Sequence, residues 1–319
     1  MIWIYIFIFV VACFILALSG KWMVAALSRI SKFLGWREFV VAFIVVALGA
    51  SIPNLFVGII SAINKVPELS FGDVVGGNVI DLTLVIALAV FVAGGLSTDS
   101  RTVRSSAFFT LAIAVLPLAL VLDGKVSRID GLILILAFFL YIAWLFSNHE
   151  RFTRIYDGSA GKESVKSLKS FFKDLGILIV GLAALLIAAE IIVKSASYFA
   201  QSLHSSITVI GLLVVALGNC LPEMYFSLAS AKAGKTWMIL GNLMGSVIIP
   251  ATLVLGIVAL IYPIQITNFS PFAVARFFLI ISALFFLVFL RTDRKITKKE
   301  AVFLLMLYIA FVITEILIK

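Results

Sequence analysis

The sequence places two carboxylates inside long apolar stretches. Glu223 follows Pro222 near the middle of the apolar run 207–231, and Asp81 lies within another apolar run. An ionisable residue at membrane depth is costly, and such residues usually face a bundle interior or an ion pathway. Carboxylate and carbonyl oxygens are the ligands that hard cations such as Ca²⁺ prefer. The chemistry indicated by these residues is therefore cation binding.

Pro222 is expected to break its helix near the middle of the membrane. Proline has no backbone N–H and obstructs the carbonyl group four residues earlier, and Gly218 loosens the same turn. The carbonyl groups of residues 217–219 would then be free to bind a cation, which is tolerated at this depth only where they line a cavity. Gly49 and Pro53 predict an equivalent break earlier in the chain.

The composition excludes a soluble globular protein. The chain of 319 residues is 63% hydrophobic and 13% charged, whereas soluble domains average about 45–50% apolar and about 25% charged residues. A helix needs about 20 apolar residues to cross a bilayer. Ten such stretches are predicted, at 2–20, 38–63, 72–94, 105–122, 129–147, 175–193, 207–231, 238–262, 272–290 and 300–318.

One polar segment divides these spans into two sets of five. Residues 148–174 are interpreted as a linker between residues 1–147 and 175–319, and the whole chain as one integrated membrane domain. No Lys or Arg precedes the first apolar run, which at about 19 residues is longer than a signal-peptide core. We therefore interpret it as a retained first span.

Basic residues are distributed unevenly between the two sides that ten spans imply. Nineteen of the 25 Lys and Arg residues fall on one side and five on the other. Because cytoplasmic loops carry the excess of positive charge, the linker is predicted to be cytoplasmic and both termini extracytoplasmic. This asymmetry also explains the net charge of +9, so nucleic acid is not expected as a partner. The predicted location is the cell membrane.

The two halves contain a gapless internal repeat at a spacing of 169 residues. VVALGASIPNLF at 45–56 corresponds to VVALGNCLPEMY at 214–225, and GDVVGGNVIDLTLV at 72–85 corresponds to GNLMGSVIIPATLV at 241–254. Five spans per copy is an odd number, so the second copy must enter the membrane in the opposite orientation. Many secondary transporters are built this way. The predicted fold class is an all-α polytopic membrane protein with ten transmembrane helices arranged as two inverted five-helix repeats.

These paired motifs resemble the sodium/calcium exchanger superfamily of cation/calcium antiporters. Its members carry two repeats of the form G-T-S-x-P-E followed by G-N-x-x-G-S-N-x-x-[ND], and the resemblance covers nearly the whole chain. It implies cation sites between spans two, three, seven and eight, and alternating access by sliding of spans one and six. The implied function is exchange of Ca²⁺ for Na⁺ or H⁺, with no enzymatic activity, no bound cofactor and no obligate protein partner besides the bilayer.

Several positions match the family pattern and others depart from it. The matching residues are Gly49, Ser51, Pro53, Gly72, Gly76, Asn78, Asp81, Gly218, Pro222, Glu223, Gly241, Asn242, Gly245 and Ser246. The main departures are Asn54, where the pattern has glutamate, and Pro250, where it has Asn or Asp.

The resemblance and the oxygen chemistry together give a candidate set of metal ligands. Asp81 and Glu223 would supply charge, and side-chain or carbonyl oxygens would come from Ala50, Ser51, Asn54, Asn219 and Ser246. Asp73 is interpreted as a charge at the membrane interface at the start of span three, and Cys220 as a small packing residue. Two acidic groups are neutralised by one Ca²⁺ or by two monovalent cations, which predicts a nearly electroneutral exchange.

Two alternatives of other classes are considered. An intramembrane enzyme is disfavoured because the sequence lacks both H-E-x-x-H and G-x-S-x-G. Asn54 and Pro250 leave open a family-like protein that transports another cation, or that has a structural or regulatory role in the membrane. A flux measurement on the purified protein separates these alternatives.

Overall fold

The structure is a computed structural model that describes residues 2–33, 49–97, 101–147, 168–232, 234, 236–266, 269–291 and 295–317. The first half contains α1 (Ile2–Phe33), α2 (Gly49–Ile63), α3 (Pro67–Ile80), α4 (Ile86–Ala93), β1 (Leu96–Ser97), α5 (Arg101–Leu120), β2 (Lys125–Val126) and α6 (Arg128–Ser147). The second half contains α7 (Leu168–Ser202), α8 (Ile207–Ile210), α9 (Ala216–Asn219), α10 (Leu221–Lys232), α11 (Thr236–Ile249), α12 (Leu255–Ile261), β3 (Ile264–Gln265), α13 (Phe269–Arg291), β4 (Lys295–Ile296) and α14 (Lys298–Leu317).

Three π-helical turns and one 3₁₀ turn connect some of these helices. The π turns Asp81–Val85, Gly211–Val215 and Pro250–Val254 join α3 to α4, α8 to α9 and α11 to α12, and the 3₁₀ turn Val121–Asp123 follows α5.

The helices are those of a polytopic membrane protein. In the described part of the chain, six helices are long and apolar enough to cross a membrane, and a bent pair formed by Ile207–Asn219 and Leu221–Lys232 raises the number to seven. Each predicted span contains at least one helix. Residues 38–48 of the predicted second span lie outside the described residues.

Two helices begin at least five residues earlier than the sequence predicted. α7 begins at Leu168, so the last seven residues of the predicted linker are helical. α3 begins at Pro67 instead of residue 72, with Glu68 in its first turn. Proline at the first helical position and an acidic residue in the first turn both favour a helix start. The predicted start was taken from the first residue of the apolar run, which does not include these two residues.

Two of the π turns occupy equivalent positions in the repeat. Asp81–Val85 and Pro250–Val254 lie 169 residues apart. In each of them a threonine hydroxyl, of Thr83 or Thr252, donates a hydrogen bond to the carbonyl group four residues earlier. This bond supplies a donor where the wider turn disturbs the regular helical pattern. Residues 42–46, which correspond to the third π turn, lie outside the described residues.

The short strands join the two halves of the chain. β1 pairs antiparallel with β4, and β2 pairs antiparallel with β3. To within one residue, the repeat spacing relates β1 to β3 and β2 to β4. A symmetry operation that placed the first half of the chain on the second would therefore place one sheet on the other.

The apolar core consists of two clusters. The larger one surrounds the π turns and includes residues such as Val79, Val247 and Leu304. The smaller one is formed mainly by α1 and α7, which contribute Leu16 and Leu185, with parts of α2, α3, α8 and the turn after α8. The pairing of α1 with α7 is extended at both ends, since the rings of Tyr5 and Tyr198 stack 3.7 Å apart and Arg29 binds Asp174 at 2.6 Å.

α3 crosses α8 and the following π turn at backbone contact. A Cβ atom on Gly72 would lie 2.3 Å from the carbonyl oxygen of Thr208, and one on Gly76 would lie 2.1 Å from that of Leu212. Only glycine fits at these two points. The crossing brings a helix of the first copy directly against the broken helix of the second copy.

Candidate functional site

The helix around Pro222 breaks where the sequence predicts a break. The segments Ile207–Asn219 and Leu221–Lys232 meet there at a bend of 41°. Pro222 lies in the first turn of α10 and cannot donate a backbone hydrogen bond to the carbonyl group of Gly218. In the first copy, α2 continues from Gly49 through Pro53 to Ile63 as one helix, so the break predicted at Gly49 and Pro53 is not present within it. The residues before Gly49 lie outside the described part of the chain.

Asp81 and Ser246 join the two copies of the repeat. Asp81 opens the π turn after α3, and Ser246 lies on α11. The hydroxyl group of Ser246 donates a hydrogen bond of 2.5 Å to Oδ2 of Asp81. Both side chains are buried, and Oδ1 of Asp81 has no hydrogen-bond partner.

Glu223 lies just after the break on α10, which packs against the π turn that contains Asp81. It is in the first turn of α10, where the positive end of the helix dipole favours a carboxylate. Its side chain is buried and its Oε2 atom has no hydrogen-bond partner. The carboxyl groups of Asp81 and Asp73 both interact with it electrostatically.

Asp73 belongs to the same group, which the sequence analysis did not predict. It lies inside α3, is 2% exposed, and accepts a hydrogen bond of 2.8 Å from Nδ2 of Asn219. Its assignment as an interfacial charge is wrong because α3 begins earlier than predicted, which moves Asp73 into the helix. Three carboxylates, not two, are therefore buried here. The repeat contained a usable signal, since Asp73 corresponds to the motif residue Asn242.

The predicted neutral ligands contain unpaired oxygens. Ser51 Oγ, Asn54 Oδ1 and Asn219 Oδ1 are buried without a hydrogen-bond partner, although buried polar atoms in folded proteins are nearly always paired. Ala50 lies in the first turn of α2. The hydrogen bonds among the described residues do not connect Ser51 or Asn54 with the three carboxylates, and α2 approaches them by packing against α3 and α11.

A thiol lies among the carboxylates. Cys220 is buried, and its Sγ atom is 3.8 Å from the carbonyl oxygen of Gly77. Asp81, Glu223 and Asp73 all interact with it electrostatically. The close contact with Gly77 agrees with the packing role expected for Cys220. It also places the sulfur atom near the carboxylates of Asp73, Asp81 and Glu223.

Within the described ranges, no basic side chain forms an ion pair with this group. The ion pairs found there are Arg29 with Asp174 and Lys194 with Glu190, and neither involves the three carboxylates. Nor do three His, Cys, Asp or Glu side chains of that part of the chain converge closely enough to hold a metal ion by themselves. A cation bound here would have to combine carboxylates with neutral oxygens.

A separate acidic residue, outside the buried group, is paired with a lysine. Glu190 binds Lys194 four residues later at 3.0 Å and accepts a hydrogen bond of 2.9 Å from Asn64. Because its charge is already balanced, Glu190 provides a matched control for substitutions in the buried group.

Comparison with known proteins identifies the family. The model of a family described as sodium/calcium exchanger protein matches residues 4–147 and 173–317. The chain belongs to the sodium/calcium exchanger family. This confirms the resemblance found in the motifs, and the two matched segments correspond closely to the two repeats.

Relatives of this exchanger family member cover most of its length. It is 30% identical over 240 residues to the membrane protein MJ0091 of Methanocaldococcus jannaschii, over 75% of this chain and 76% of the relative. It is 28% identical over 329 residues to the sodium/calcium exchanger MaX1 of Methanosarcina acetivorans, over 92% and 93% of the two chains. The solved sodium-calcium exchanger NCX_Mj has the same fold, with a TM-score of 0.64 and 27% identity over 98% of this chain and 99% of that one.

Proposed function

We propose that this chain is a secondary antiporter that exchanges Ca²⁺ for Na⁺ or H⁺. The observation that carries the proposal is the set of buried, unpaired oxygens on Ser51, Asn54, Asp81, Asn219 and Glu223. Ca²⁺ takes about six to eight oxygen ligands, usually with carboxylates among them. Asp81 and Glu223 would supply charge, and neutral oxygens would come from the other predicted ligands, including Ser246 and the carbonyl group of Ala50.

The exchange would proceed by alternating access in a pair of inverted five-span repeats. Two observations support this arrangement. The repeat spacing relates one short sheet to the other, and two π turns lie at equivalent positions of the two copies. α1 and α7 form most of the smaller core cluster and pack mainly against each other, and in this proposal the two helices slide together past the other spans. In the proposed division, residues 1–147 and 175–319 form the two halves, joined through 148–174.

Ca²⁺ uptake into proteoliposomes tests the proposed function. Vesicles that contain the purified protein should accumulate radioactive Ca²⁺ when an outward gradient of Na⁺ or of H⁺ is imposed, because the counter-ion gradient drives the exchange. The gradient that supports uptake identifies the counter-ion. The variant Glu190→Gln should behave like the wild type. No uptake under either gradient would contradict the proposal and would favour a structural or regulatory role.

The membrane orientation can be tested by cysteine labelling. In a background without Cys13 and Cys220, cysteines placed in the 148–174 linker should react only with cytoplasmic reagents. Cysteines placed at the termini or near Lys65 should react only from outside, as the distribution of Lys and Arg requires. Labelling of the linker from outside would contradict both the ten spans and the inverted repeat.

A softer divalent cation is a second candidate substrate. The thiol of Cys220 lies among the three carboxylates, and sulfur ligands favour metals such as Zn²⁺ over Ca²⁺. If Zn²⁺ or Cd²⁺ is transported, it should compete with Ca²⁺ in the flux assay and enter the vesicles itself. The substitution Cys220→Ser should then reduce the uptake of the soft ion and preserve that of Ca²⁺.

A further inference from the structure

At two equivalent positions of the repeat, the first copy has an amide where the second has an acid, and an acid where the second has an amide. The first copy has Asn54 and Asp73, and the residues 169 positions later are Glu223 and Asn242. Each copy therefore supplies one carboxylate and one amide from these two positions. The carboxylate lies on the broken helix in the second copy and on the crossing helix α3 in the first. The negative charge that is missing at Asn54 is present at Asp73.

Asp73 is a buried carboxylate whose charge is not balanced by a described basic side chain. Its side chain is 2% exposed, and in the described part of the chain the side chain that hydrogen-bonds to it is the neutral amide of Asn219. No ion pair formed by the described residues includes it. The glycines of the α3 crossing fix its position, because any Cβ at Gly72 or Gly76 would overlap the backbone of the second copy. A carboxylate in this setting requires a cation or a proton.

Asn219 supplies the second part of a cation site. It is the last residue of α9, and the C-terminal ends of broken helices coordinate monovalent cations in transporters because the helix dipole is negative there. Its Oδ1 atom is buried and unpaired. Its Nδ2 atom faces the carboxylate of Asp73, and a half rotation of the amide would present Oδ1 to the same space. One amide thus serves as donor to the bare carboxylate and as ligand to a bound ion.

We propose that Asp73 and Asn219 form a subsite for one Na⁺ ion where α3 meets α9. This subsite lies beside the group of Asp81, Glu223 and Ser246, which would take the divalent ion. The inference rests on the proposed function for the divalent ion, although Na⁺ binding itself does not require it. Three Na⁺ ions neutralise the three carboxylates, whereas one Ca²⁺ neutralises two of them. Exchange would then move net charge, in contrast to the electroneutral exchange expected from the sequence.

Binding of radioactive Na⁺ to the purified full chain, without Ca²⁺, tests the subsite. The variant Asp73→Asn should bind one Na⁺ fewer per chain than the wild type, because the amide keeps the shape of the side chain and removes its charge. Glu190→Gln should bind Na⁺ as the wild type does.

The variant Asn219→Ala tests the same subsite with the carboxylate intact, in case Asp73→Asn does not fold. It should keep the number of bound ions and weaken the affinity of one of them by roughly 10- to 100-fold, the effect of losing one ligand to a charged group. An unchanged number of bound ions in Asp73→Asn would overturn the proposal. So would a site that responds to pH and not to Na⁺.

A voltage measurement in proteoliposomes complements the binding assay. When valinomycin and K⁺ set the membrane potential, the equilibrium Ca²⁺ gradient of the wild type should change roughly 45-fold per 100 mV, the effect of moving one net charge. The gradient in Asp73→Asn should not respond. A wild type without Ca²⁺ flux that still binds Na⁺ at Asp73 would contradict the proposed function and support the subsite. A voltage-independent wild-type gradient would overturn the charge balance inferred here.

Discussion

Replacing Glu223 by glutamine should reduce Ca²⁺ affinity and transport by roughly two orders of magnitude. The amide preserves the shape of the side chain and removes one of the two charges that face the divalent ion. The remaining uncompensated charge costs about 2.5–3.5 kcal/mol at membrane depth, and each 1.4 kcal/mol is about a tenfold loss of affinity. Ca²⁺ uptake into proteoliposomes measures the effect. The fold should survive, since Oε2 of Glu223 has no hydrogen-bond partner to lose.

Two further variants make the Glu223 result specific. Asp81→Asn should lower transport to a similar extent, because Asp81 and Glu223 lie close enough to interact. Glu190→Gln should have little effect, because Glu190 pairs with Lys194 outside the buried group. Normal Ca²⁺ transport by the Glu223→Gln variant, with normal elution of the protein in gel filtration, would show that the ion binds elsewhere.

Alanine at Gly76 should destabilise the protein and stop transport. Its Cβ atom would lie 2.1 Å from the carbonyl oxygen of Leu212, so α3 would have to move away from the second copy. Inserting a methyl group into a packed interface costs about 1–3 kcal/mol, occasionally more, and here the opposing atom is backbone and cannot change its rotamer. The gain of about 1 kcal/mol in helix propensity offsets only part of this cost. The melting temperature of the purified protein in detergent should fall.

Gly77→Ala is the matched control for this prediction. It makes the same chemical change one residue later on α3, where the new Cβ atom would lie 3.5 Å from Cys220 Sγ, an ordinary contact. Its melting temperature should equal or exceed that of the wild type, because alanine favours the helix. Equal melting temperatures for the two variants would mean that the crossing at Gly76 does not hold the two copies together.

Local chemistry explains why much of this molecule was predictable. Spans are set by runs of apolar residues, and the break at Pro222 follows from a missing N–H group in its own turn. Both effects act within a few residues, so they can be read without knowing the fold. The candidate ligands Asp81, Glu223 and Asn219 followed from the same patterns together with the repeated motifs, and their buried oxygens are among those without partners.

The boundaries of α3 and α7 were predicted less well, because helix starts depend on signals other than hydrophobicity. Pro67 and Glu68 begin α3 before its apolar run, and this shift of a few residues misassigned Asp73 to the interface. The depth of such a charged residue in the membrane can be assigned only when the start of its helix is known. The count of two acidic groups, and the electroneutral exchange derived from it, depended on that placement.

The sequence by itself determined the membrane class, the two copies of the repeat and the broken helix, because each depends on composition or on neighbouring residues. Only the tertiary structure decided that Asp73 joins Asp81 and Glu223. That result requires α3 to cross the second copy at backbone distance through Gly72 and Gly76, and it places Asp73 against Asn219, 146 residues away in the chain. A contact over such a separation is fixed by the packing of whole helices, which local patterns in the sequence do not describe.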